Sequence, residues 1–302
     1  LPIWLVPLAL GTDGGGSSRR PPSHVGAVGF KPSFGAIADP FGFAHPFIGL
    51  QTLAPIARNV ADARLMFAAM AGADVRDPQA IDLQPAADTD VRGLRVAFSP
   101  RLGLEVPVDL DVSQCVQAAV AQLRGAGLTI DEADPAWPEG ANEEALMPLQ
   151  HVGLAHLFGQ AWRRDPHAFD PDIARQIERG LAWSGADVAR AREAGVRIAL
   201  TLGDFLQRYD LLVCPTTPCV AWPNDRLGPA RIEGQMVEPR AHAVFTPFMN
   251  HAMVPAISIP CGRGRDALPV GLQIVAARGR DHLLLAAAAF FEAALRPLAA
   301  NS

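Results

Sequence analysis

The chain has 302 residues, 49% hydrophobic and 19% charged, with a formal net charge of −5. That is enough apolar material for a substantial core in one large α/β domain or two smaller ones. The mild acidity gives no electrostatic footprint for nucleic acid, which calls for a clustered basic surface, and the doublets Arg19-Arg20 and Arg163-Arg164 read as surface or local structural charges.

Leu1 to Leu10 is apolar but lacks a positive leader and a small-residue cleavage site, so it does not read as a signal peptide. It is also too short to span a bilayer. The chain opens on leucine, not methionine, and this segment reads as an internal piece of a longer protein.

Next comes Gly11-Thr12-Asp13-Gly14-Gly15-Gly16-Ser17-Ser18-Arg19-Arg20-Pro21, in which three consecutive glycines lead directly to a serine hydroxyl. Glycine reaches positive φ and allows close backbone approach, and successive N–H groups in such a turn form a nest for negative charge. Acyl transfer needs those donors where the tetrahedral oxyanion develops. Ser17 is therefore the candidate nucleophile, and the amides of Gly14, Gly15, Gly16 and Ser17 are the candidate substrate-binding donors. The glycine amides are expected to converge on one side of the Ser17 hydroxyl at the mouth of a pocket. A phosphate-binding loop would need a lysine where Ser17 stands, and the dinucleotide fingerprint would need a glycine where Arg19 stands. On spacing alone, a flexible loop without chemistry stands level with the nucleophile.

Further along, Asn59 to Ala71 carries apolar residues at helical spacing and Gly72 supplies a stop. Leu94 to Phe98 reads as a short buried strand, and Val112 to Arg124 as a helix ended by Gly125 and Gly127. Between Asn142 and Arg208 the pattern is mostly helical, with a long helix from Asp187 toward Tyr209, and Trp162 and Trp183 read either as packing of the helical layer or as substrate-facing residues. His151, His156 and His167 in this stretch do not reproduce the spacing of a zinc hydrolase.

Leu211 to Val213, Ala256 to Ile259 and Val270 to Ala276 are continuous apolar runs, as suits strands buried on both faces of a central sheet. The proline-rich interval from Cys219 to Pro239 reads as a surface loop, and His282 to Arg296 as a closing amphipathic helix. Phe245, Phe248 and Met249 are apolar candidates for a substrate pocket, with core packing the commoner explanation. Cys115, Cys214, Cys219 and Cys261 are few and widely spaced, so no disulfide framework or zinc site is expected and a reducing cytoplasm is the simplest setting. No metal or organic cofactor is implied.

The glycine-serine turn, Val25-Gly26-Ala27-Val28-Gly29-Phe30-Lys31-Pro32-Ser33, Leu53-Ala54-Pro55-Ile56-Ala57-Arg58-Asn59-Val60-Ala61-Asp62, Asp210 to Pro218, Pro255 to Gly262 and Leu268 to Gln273 together resemble the amidase signature family. Ser18 replaces the usual isoleucine, Pro22 a commoner small residue and Ala54 a glycine. Asn250 matches a family asparagine. The resemblance implies an α/β fold with a mixed central β-sheet flanked by α-helices, as one amidase domain over residues 1–302 that is incomplete at its N-terminus. It also implies hydrolysis of a carboxylic amide through an acyl-enzyme on Ser17, with a second serine and a neutral lysine upstream of the turn relaying protons.

Lys31 is the only lysine beside 25 arginines, and no serine precedes Ser17. Lys31 falls in a segment the resemblance marks as structural, and arginine stays protonated. These residues alone are therefore expected to show little or no amidase turnover. Within the same family an amidotransferase subunit releasing ammonia from glutamine for charged tRNA is the alternative; outside it, a fragment that keeps the fold without chemistry. The implied partner is a small-molecule amide, with no direct nucleic-acid or membrane partner, and uncovered apolar surface favours self-association into a homo-oligomer.

Overall fold

Residues that share a sheet here come from both ends of the chain. The computed structural model describes residues 6–40, 42, 46–47, 49–83 and 90–300; the opening Leu1 to Leu5 lies outside the described residues. The N-terminal part supplies β1 (Leu8–Asp13), β2 (Val28–Lys31) and β3 (Thr52–Ala57). The middle supplies β4 (Val96–Phe98), β5 (Ile130–Glu132) and β6 (Leu211–Pro215). After a small hairpin of β7 (Arg231–Ile232) and β8 (Gln235–Met236) come β9 (Ala256–Arg263) and β10 (Pro269–Ala276). The eight-stranded sheet runs β1-β3-β2-β9-β10-β6-β4-β5.

This is the expected mixed sheet flanked by helices, with most pairs antiparallel. Only β4 pairs in parallel, with β5 and β6, among the described strands. The apolar runs of β9 and β10 pair antiparallel with each other, and β10 antiparallel with β6. They read as continuously apolar because helices cover them: α1 (Arg20–Val25), α3 (Leu110–Gly125) and α8 (Asp281–Ala300) all pack against β9 and β10.

Local chemistry accounts for the helix ends. In α1, Pro21 and Pro22 occupy the first turn, where a missing amide leaves no hydrogen bond unmade, and Gly26 closes the helix in the left-handed conformation with φ 71°. The helix expected after Asn59 is α2 (Val60–Met70), capped by the Asn59 side chain, which accepts from the Asp62 amide at 2.8 Å. The helical middle resolves into α4 (Glu143–Arg164), α5 (Pro171–Ala182) and α6 (Gly185–Arg208), the last opened by a reciprocal Ser184–Asp187 capping box. Inside the interval read as a surface loop lies the β7–β8 hairpin, turned by Glu233 and Gly234 at φ 52° and 75°. Strands of two residues are too short to show alternation. A five-residue helix, α7 (Pro247–His251), precedes β9.

Candidate active site

β1 ends at Asp13 and α1 begins at Arg20, so the glycine-serine turn is the whole connection between sheet edge and helix. Asp13 and Arg19 organise it from below. Both are fully buried, and they form a two-pronged ion pair in which Arg19 Nε and Nη2 each lie 2.9 Å from the Asp13 carboxylate. Asp13 also accepts from the Ser18 hydroxyl at 2.7 Å and the Ser18 amide at 3.2 Å. Asn250, on α7, donates to the Asp13 carbonyl and carboxylate, both at 2.9 Å, and accepts from Arg19 Nη2 at 2.6 Å. Arg19 Nη1 reaches Gln273 Oε1 at 2.8 Å and the Thr246 carbonyl at 3.0 Å. Burial pushes the Asp13 carboxyl upward, but the charge and hydrogen bonds of Arg19, with help from Lys31 and Asn250, hold it well below the usual carboxylate range.

Arg19 is thus a buried structural charge, not a surface one, because its partners come from distant parts of the chain. Asn250, which had no assigned role, anchors the turn. Phe245, Phe248 and Met249 are fully or almost fully buried in the core.

Ser17 is exposed at the top of the turn. The expectation of three convergent glycine amides needs one correction. The Gly16 amide donates to Asp13 Oδ1 at 2.7 Å, because an Asp side chain three residues back competes for it as in an Asx-type turn. The amides of Gly14, Gly15 and Ser17 make no hydrogen bond among the described residues. The ring of Phe47 lies so close over Gly14 that a Cβ there would collide with it. A cavity of about 170 Å³ lies beside β3, lined by Phe34, Ile37, Asp39, Gln51, Thr52 and Asp77 among others, and Ser17 does not line it.

One flank of the turn was not anticipated from sequence. Arg20 donates through Nη1 to His242 Nδ1 at 3.2 Å, which places the His242 proton on Nε2. Trp222 lies between two imidazoles, 4.5 Å from the His242 ring and 5.2 Å edge-on from His24. Burial, then the Arg20 charge, lowers His24 to about 4; burial, Arg20 and His24 lower His242 to about 3. Both rings are neutral at pH 7.

Lys31 is fully buried on β2 and donates to the Pro32 carbonyl at 2.9 Å. Burial, reinforced by Arg19 and opposed by Asp13 and Asp281, lowers it to about 7. An amine that titrates near 7 folded and 10.5 unfolded binds its proton more tightly in the unfolded chain, so stability rises with pH across that window. Lys31→Met is expected to remove a slope of up to about 1.4 kcal/mol per pH unit. Urea unfolding at about pH 7.5 and about pH 8.5 measures it; a mutant whose stability climbs as steeply as the parent's would refute the depressed amine.

The four cysteines are free thiols, three of them buried. Burial pushes Cys214 and Cys219 up to about 12, which leaves them unreactive at neutral pH. His151 is buried and its Nδ1 accepts from Trp183 Nε1 at 3.3 Å. Among the described residues no group of three or more His, Cys, Asp or Glu is placed to hold a metal ion, and no helix is long and apolar enough to cross a membrane.

The site therefore combines an exposed serine after a glycine turn, a buried Asp–Arg pair that holds the turn, and a mixed helix-flanked sheet. Residues 3–285 match the family model described as Amidase, and the chain belongs to that family. Its relatives include an acylamidase of Rhodococcus erythropolis, 36% identical over 98% of this chain and 62% of its own length. A glutamyl-tRNA(Gln) amidotransferase subunit of Staphylococcus aureus is 31% identical over 90% of this chain and 60% of its own. Among solved structures, a bacterial aryl acylamidase belonging to the amidase signature enzymes superposes with a TM-score of 0.85 at 25% identity, covering 97% of this chain and 63% of that one. The chain spans less than two thirds of the length of each of these relatives.

Proposed function

We propose that the whole protein hydrolyses carboxylic amides through an acyl-enzyme on Ser17. The observation that carries this is an exposed serine hydroxyl directly after a glycine turn whose backbone is clamped by buried Asp13, Arg19 and Asn250. Ser17 Oγ adds to the amide carbonyl carbon, the C–N bond breaks, and the amine leaves with a proton. Water then cleaves the ester and regenerates the hydroxyl. The amides of Gly14, Gly15 and Ser17 are the donors for the oxyanion, with Gly16 set aside for Asp13. The Ser17 proton passes to the second serine and neutral lysine that the family resemblance implies upstream of the turn. Lys31, buried and bonded to Pro32, keeps a structural task.

The stronger likeness to acylamidases, 36% against 31% identity, favours an N-acyl amine over glutamine as substrate. A single amidase domain is supported by one sheet that joins β1 to β10, and a cytoplasmic setting by four free thiols. A homo-oligomer is the proposed assembly, checked by light scattering. The decisive experiment treats the full-length protein with a fluorophosphonate and maps the adduct by mass spectrometry, alongside turnover of an aryl acyl amide and of glutamine. The adduct is expected on the peptide carrying Ser17, with turnover of the aryl amide; an adduct on any other serine would overturn the assignment.

A further inference from the structure

The geometry points to Thr246 as a positioning residue for Ser17, acting through the hydrogen bond of its hydroxyl to the Gly15 carbonyl. This rests on the proposed nucleophile and adds to it a residue 229 positions away in sequence. Thr246 is fully buried and stands immediately before α7. A threonine there would ordinarily cap the helix, but its side chain makes no bond to the helix amides. Its Oγ1 instead donates to the Gly15 carbonyl at 2.8 Å.

That bond completes a clamp on one peptide plane. The Gly15 carbonyl and the Gly16 N–H belong to the same planar trans unit and point in opposite directions. Thr246 holds the carbonyl end, and Asp13 Oδ1 holds the N–H end at 2.7 Å. The plane cannot turn about its own axis without breaking one of them.

The next plane is held too. The Gly16 carbonyl accepts from the Arg19 and Arg20 amides at 3.0 and 2.9 Å, so the Ser17 N–H in that unit is directed away from the helix amides. Between the two planes Gly16 takes φ 115°, a conformation that L side chains rarely adopt, and a Cβ there would collide with Thr246 Oγ1. Glycine at 16 and threonine at 246 therefore fit each other. Ser17 inherits its orientation from both planes.

Thr246 also offers its backbone carbonyl to Arg19 Nη1, a contact that substitution of the side chain leaves in place. This makes the hydroxyl separable. In the full-length protein, Thr246→Val keeps the shape and deletes the donor, whereas Thr246→Ser keeps the donor and deletes a methyl. Thr246→Val is expected to slow fluorophosphonate modification of Ser17 and kcat on an aryl acyl amide about 10- to 100-fold, since small misplacements of a reacting group cost that much. KM should stay within about 2-fold, and Thr246→Ser should restore both rates to within about 3-fold.

A threonine that only supports the fold would lower the thermal midpoint without changing the labelling rate of the folded protein. Wild-type labelling in folded Thr246→Val would therefore overturn the proposal, as would Thr246→Ser labelling as slowly as Thr246→Val. Should the valine variant fail to fold, Thr246→Ala replaces it, read against Thr246→Ser by the same criteria. Amide turnover that survives Ser17→Ala would overturn the nucleophile itself, and this role with it, and so separates the two failures.

Discussion

Ser17→Ala in the full-length protein is expected to eliminate the fluorophosphonate adduct and to lower amide turnover by about 10⁴-fold or more, as loss of a nucleophile that acts with its proton-transfer partners commonly does. The residual rate would come from the oxyanion donors and binding alone. Stability should hardly move. Ser17 is exposed, and its replacement deletes one hydroxyl with no packing group, so the change in unfolding free energy is expected within about 0.5 kcal/mol. Urea denaturation run beside the kinetic assay separates loss of chemistry from loss of fold. Turnover within a few-fold of wild type would mean that another group carries the acyl intermediate.

The second large effect is on stability. Arg19→Leu strands the Asp13 carboxylate in a site where both side chains have 0% exposure, and breaking a buried pair from one side typically costs about 3–5 kcal/mol. Denaturant unfolding at pH 7 should show a loss of that size. Adding Asp13→Asn to Arg19→Leu should then cost less than Asp13→Asn costs alone, because the two residues share one interaction and their effects do not add. The pH dependence follows from the depressed Asp13 carboxyl. Its contribution is fully present above the unfolded value of 3.8 and is lost as pH falls below it. The parent should therefore lose more stability than the double variant between about pH 5 and about pH 2. Additive costs for the two replacements would indicate that Asp13 and Arg19 act independently.

Elements with their own local signals were legible in the chain. Asn59 and Gly72 bracket α2, the helical run from Asp187 toward Tyr209 marks most of α6, and the apolar runs of β6, β9 and β10 stand out because helices bury them. β2 did not, since Val28–Lys31 places a glycine and a lysine in a fully buried strand and so breaks the apolar pattern. α1 is six residues long and carries two prolines in its first turn, which by propensity argue against a helix until the first-turn exception is considered.

The candidate site divides in the same way. Ser17 and the glycines were visible because their spacing is local. Arg19 could not be told from a surface charge, since its acceptors at Thr246 and Gln273 lie 227 and 254 residues away. The use of the Gly16 amide by Asp13 was locally encoded, as an Asp three residues before a glycine. Three consecutive glycines look alike in sequence, and only the Asp13 side chain distinguishes the amide of the third.

The long sequence separation between the turn and its anchors also sets an order in time. A ribosome adding about 5–20 residues per second needs about 13–50 s to travel the 254 positions from Arg19 to Gln273. Until that interval ends Arg19 lacks its full set of partners, and for most of it Thr246, Asn250 and the β9 strand beside β2 have yet to be made. The nascent glycine turn therefore emerges without its clamp, and the serine becomes oriented only when the last quarter of the sequence has left the exit tunnel. A stop codon before Thr246 would produce a chain that carries Ser17 but lacks the residues that hold it in place.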